Sequence, residues 1–148
     1  MTARSQRLQV VLSLEERKEQ EALDLMNGVR NQWQAEQDRL DELNRYQREY
    51  HQQMRAQQQG TVPVTRLQGW QNFIARLDLL IGDQQKRVSQ AAERLEQARL
   101  NWQRAWERRR GMEKYVETCR VQEQRARDVA EQKQADEAAA RQFSRRNR

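Results

Sequence analysis

This chain of 148 residues is 34% charged and 36% hydrophobic, with a single Pro and a formal net charge of +6. That balance argues against the large apolar core of a globular enzyme and for long, solvated helices. The positive and negative charges are interspersed rather than blocked, which reads as solvated helix faces, while the net excess allows attraction to an acidic partner surface.

The N-terminal patch Val10-Val11-Leu12 is soon followed by Glu15-Glu16-Arg17-Lys18, too short and too quickly charged for a signal peptide. The first helix is expected over about residues 4–58. Its apolar stripe runs Leu8, Leu12, Ala22, Met26, Val29, Trp33, Leu40, Leu43, Tyr50 and Met54. Glu15, Glu19, Glu36, Gln47 and Gln57 stand as polar exceptions on the same spacing. Near its end lies Tyr46-Gln47-Arg48-Glu49-Tyr50. His51 is the only His and has no neighbouring ligand, so it reads as a solvated helix residue.

A turn is expected over about residues 59–66, because Pro63 removes a backbone donor and clashes with a preceding helical turn. Gly60 adds a permissive stop.

The second helix is expected over about residues 67–140. Its stripe follows an unbroken 3-4 alternation through Leu67, Trp70, Ile74, Leu77, Ile81, Gln84, Val88, Ala91, Leu95, Ala98, Trp102, Ala105, Arg109, Met112, Val116 and Cys119. The same spacing continues through Glu123, Ala126, Ala130, Lys133, Glu137 and Ala140. A sustained repeat of this kind imposes a coiled coil. The expected architecture is therefore all-α: a single domain, an antiparallel two-helix coiled-coil hairpin with an overhanging C-terminal helix. Folding about residue 62 sets Trp33 against Ala91, Ala22 against Trp102, Leu43 against Ile81, Tyr50 against Ile74 and Met54 against Trp70. It also sets Glu15 against Arg109, and a seven-residue shift would match the heptads as well. Leu8 then pairs near Val116, and the second helix continues alone from about Cys119, fraying where apolar positions thin out. Residues 141–148 carry Arg and no acid, and a mobile basic tail is expected there.

No catalytic constellation, metal-ligand spacing or phosphate loop is present. Cys119 is the only cysteine, so no internal disulfide forms, in keeping with a reducing cytoplasm. No segment approaches the roughly 18 apolar residues of a membrane span. Arg108-Arg109-Arg110 could touch phosphates, but a hairpin offers no basic helix running out of a parallel dimer, so no nucleic-acid partner is expected. No cofactor and no small-molecule substrate are expected either. Tyr50, Trp70, Ile74 and Leu77 lie on the stripe, while Phe73 and Leu80 lie one position off it and could form an exposed docking stripe.

At these residues the chain resembles the FliJ family of the flagellar type III export apparatus. The resemblance runs through Tyr46-Gln47-x-Glu49-Tyr50, a Gly-containing loop, and Trp70-Gln71-x-Phe73-Ile74-x-x-Leu77, and the flanking helices extend it over essentially the whole chain. It implies a non-enzymatic, cytoplasmic coiled-coil stalk, peripherally associated with the inner-membrane export apparatus and required for motility. The stalk would bind and stimulate the hexameric export ATPase, and link it to the membrane export gate protein and to export chaperones. The gate-facing residues implied are Phe73, Leu77 and Leu80, with Gln84 where some members carry His. The paired termini, around 8–19 and 105–126, would face the ATPase ring. The alternatives are the equivalent stalk of a virulence secretion system and a general coiled-coil scaffold.

Overall fold

A computed structural model describes residues 3–58 and 60–147. Gln59 of the expected turn and Arg148 of the expected tail lie outside the described residues. The chain forms two helices, α1 (Arg4–Gln57) and α2 (Val64–Arg146), packed antiparallel as an all-α hairpin. No strand occurs among the described residues.

The break between them follows from backbone chemistry. The last turn of α1 closes with the Gln58 N–H donating to the Met54 carbonyl at 3.1 Å. Pro63 has no N–H to give to a helix, but its carbonyl accepts the first bonds of α2, from Arg66 at 3.1 Å and Leu67 at 3.2 Å. Pro63 thus stands where an N-cap stands, and α2 begins at Val64, one turn earlier than the apolar stripe suggests. At the other end α2 runs to Arg146, so residues 141–146 of the expected mobile tail are helical. Arg145 and Arg146 lie in its last turn, where cations complement the carbonyl end of the helix dipole.

The buried apolar side chains are Leu12, Met26, Leu77, Ile81, Ala91, Ala98, Ala105, Val116 and Cys119, and every one lies on the heptad stripe. On α2 each stripe position from Leu67 to Glu123 is buried or half-buried; Ala126, Ala130, Lys133, Glu137 and Ala140 are exposed. Pairing therefore extends one step past Cys119, because Ser5 prolongs the α1 stripe toward the N-terminus and is itself buried.

The packing divides into two compact units: the described residues of Met1–Glu21 with Gln103–Arg148, and Ala22–Trp102. In the second unit, Ala91 and Ala98 are buried while Trp33 and Trp102 are half-buried, so small residues share the seam with bulky ones. The first unit is held by charge as well as by Leu12, Ala105 and Val116. Here the expected meeting of Glu15 with Arg109 is corrected. Arg109 Nε lies 2.5 Å from Glu19 Oε2, and Glu15 Oε2 lies 3.9 Å from Arg108 Nε. Side chains lean toward the N-terminus of their own helix. In an antiparallel pair Arg109 therefore leans toward higher α1 numbers, from Glu15 to Glu19.

Candidate interaction surfaces

Around the turn, aromatic residues of both helices gather on Phe73. The Tyr50 ring packs on it at 4.3 Å between centroids, tilted 43°. Tyr46 meets it edge-on at 6.1 Å. Gln47 donates a side-chain hydrogen bond to Asp78 across the pair. Trp70 and Ile74 are half-buried and Glu49 is exposed.

The four residues implied as gate-facing do not share one environment. Leu77 is 3% exposed and belongs to the seam. Gln84 is equally buried, and its amide donates to the Glu36 backbone carbonyl at 2.9 Å and to Glu36 Oε2 at 2.5 Å. Phe73 is half-buried against the two tyrosines. Leu80 is the exposed member, at 54%. The packed positions are committed to α1 and are not offered to a partner while the helices stay paired. Leu79, exposed next to Leu80 and outside both the stripe and the motif, adds apolar surface. Its signal was available: a leucine far from the heptad stripe on a helix otherwise polar there.

The second surface lies at the paired termini. The Ser5 N–H donates to Glu123 Oε1 at 2.9 Å, and the Ser5 hydroxyl donates to Glu123 Oε2 at 2.5 Å. These bonds, the hydroxyl first, hold the Glu123 carboxyl below its ordinary range, with Arg127 and Arg120 adding smaller attractions. The first turn of α1 has no acidic residue of its own, so α2 supplies the anion that a helix N-terminus favours. Arg120 donates to Gln9 Oε1 at 2.9 Å. Arg4 donates to the Tyr115 hydroxyl and lies over its ring. Val10, Val11 and Leu14 remain exposed on α1 in this unit.

In the Arg108-Arg109-Arg110 run, Arg109 is half-buried while Arg108 and Arg110 are exposed. Arg108 reaches Glu15, Arg109 pairs with Glu19 and Glu113, and Arg110 lies over the Trp106 ring at 5.4 Å. Among the described residues no cluster of His, Cys, Asp or Glu could hold a metal ion, and no helix is long and apolar enough to cross a membrane.

No curated protein and no solved structure matches the chain. The family model described as flagellar FliJ protein matches residues 4–148, and on that match, which takes in both helices and both surfaces, the chain belongs to the FliJ family.

Proposed function

We propose that this FliJ-family chain, a component of the flagellar export apparatus, is the non-enzymatic stalk that binds and stimulates the export ATPase ring and links it to the export gate and export chaperones. The observation that carries the reading is family membership over residues 4–148 in a chain built as a bare helix pair. A helix pair suits the pore of a ring, where contacts that differ between open and closed subunits bias closure without any chemistry on the stalk itself.

Each surface takes one role. The paired termini, with exposed Val10, Val11 and Leu14 above the Ser5–Glu123 and Glu19–Arg109 contacts, face the ring. Near the turn, exposed Leu80 and Tyr46 with half-buried Phe73 form the gate-facing patch, and exposed Leu79 flanks it. Leu77 and Gln84 support that patch from beneath. On this reading the protein works at the cytoplasmic face of the inner membrane, held there by partners.

The direct test is ATP hydrolysis by the purified export ATPase with and without the chain. Stimulation by a protein that hydrolyses no ATP alone is expected; an unchanged rate at saturating chain counts against the stalk role. A pull-down from lysate with the chain as bait is expected to recover the ATPase.

A further inference from the structure

The heptad stripe does not by itself choose an alignment, since sliding one helix by seven residues keeps apolar positions against apolar positions. The polar members of the seam behave differently. In the unit Ala22–Trp102, buried Gln84 bonds both the backbone carbonyl and the carboxylate of Glu36. A seven-residue slide one way sets Glu36 against Ala91 and Gln84 against Leu43; the other way sets Glu36 against Leu77 and Gln84 against Val29. In the other unit, Arg109 pairs with Glu19 at 2.5 Å. There the slide sets Glu19 against Val116 and Arg109 against Met26, or Glu19 against Trp102 and Arg109 against Leu12. Ser5 and Glu123 part in either direction, and Glu123 meets Leu12 or Ser5 meets Val116.

We propose that these three polar layers, Ser5–Glu123, Glu19–Arg109 and Glu36–Gln84, are the register lock of the hairpin: they select one helix alignment among several that the apolar seam accepts equally. Every slide strands polar or charged groups against side chains such as Val116, Leu77 and Ala91, which are nearly inaccessible to water. Each stranded group disfavours the slipped state by roughly tenfold to a hundredfold. The pairs give up little when made, because replacing a buried polar pair by well-packed apolar residues is often neutral or stabilising. Their role is specificity. Pro63 fixes the alignment at the turn, while the layers hold it along helices of 54 and 83 residues.

The consequence is functional as well as structural. In the terminal unit the lock sets which part of α2 extends past the start of α1, since the exposed stripe begins just after Glu123. It therefore sets which residues stand beside exposed Val10 and Leu14.

The experiment uses the full chain with Cys119→Ala and spin labels on Asn31→Cys and Glu93→Cys, both exposed positions of one unit. Flexible residues inserted between Gly60 and Thr61 remove the turn's influence. With the polar layers intact, a single label-to-label distance is expected, the same with and without the insertion. With Ser5, Glu19, Glu36, Gln84, Arg109 and Glu123 all changed to Leu, the inserted chain is expected to stay helical and cooperatively folded. Its distances should split, with an added longer population from helices slid by about 10 Å along their axes, the rise of one heptad. A single unshifted distance in the leucine variant overturns the proposal, as does a split distribution while the polar layers are intact. A leucine variant that fails to fold also overturns it, because the pairs would then be needed for stability rather than for alignment. A second arm restores Glu36 and Gln84 alone in the leucine background, and the native distance is expected to regain the majority.

Discussion

Ser5 and Glu123 stand 118 residues apart in the chain, yet the Glu123 carboxylate takes both the backbone N–H and the hydroxyl of Ser5. The α1 N-terminus begins after Ala3, whose side chain has no oxygen to cap a helix. Glu123 fills that role from the opposite helix. The end of the paired region is therefore a specific contact rather than a gradual loss of apolar residues.

Glu123→Gln removes the charge from this cap and keeps its shape. Amides in the first turn of α1 are expected to exchange severalfold faster, with little change toward the turn. Hydrogen exchange resolved by residue measures this.

The same contact sets a pH dependence. The Glu123 carboxyl is lowered in the folded chain by Ser5, so its contribution is fully present above the ordinary glutamate range. It is lost as pH falls through the lowered folded value. The first turn of α1 should therefore hold at neutral pH and loosen only in acid, below where a free glutamate takes its proton. Glu123→Gln should abolish that acid step, as followed by exchange or NMR shifts of residues 4–9.

Leu77 and Leu80 sit three residues apart and should respond unequally. Leu77→Ala opens a cavity in the seam and is expected to cost about 2–5 kcal/mol. Leu80→Ala touches an exposed side chain and should change stability by less than about 0.5 kcal/mol. Motility then separates the roles: Phe73→Ala with Leu80→Ala should impair swimming while the circular dichroism spectrum stays helical. Normal swimming would remove this patch from the export reading.

Ala105 is 2% exposed, in the unit that carries the Glu19–Arg109 pair. Ala105→Leu overfills that position and is expected to destabilise by about 1–3 kcal/mol. A lowered denaturant midpoint with an unchanged slope would report it.

Gly28 and Gly111 lie inside the helices, and a Cβ at either would meet nothing within 4 Å. Close helix contact therefore does not explain these glycines. Gly28→Ala and Gly111→Ala should each stabilise by about 0.5–1 kcal/mol through helix propensity. Thermal unfolding of each variant measures it.

Much of this fold is legible one helix at a time. The 3-4 spacing picks out Leu12, Met26, Leu77, Ile81, Ala91, Ala98, Ala105, Val116 and Cys119 because periodicity alone decides which face a residue occupies. The surfaces are less legible. The family resemblance grouped Phe73, Leu77, Leu80 and Gln84 as one face, but the stripe spacing already put Leu77 and Gln84 between the helices, and they are buried there. Leu79 is absent from both patterns because it belongs to neither the stripe nor the motif, although its place away from the stripe already marks it as outward-facing, and it is 72% exposed.

The amino-acid sequence by itself determined the two helices, the break at Pro63, the apolar face of each helix and the family. Tertiary structure decided that Arg109 meets Glu19 rather than Glu15, that Ser5 is buried against Glu123, and that Gln84 is spent on Glu36. The division has a physical cause. A residue's face depends on its own helix, with a fixed angle per residue. The partner of a long polar side chain depends on the axial position of the facing helix and on the direction in which each side chain leans. Neither quantity is written in the periodicity of a single helix.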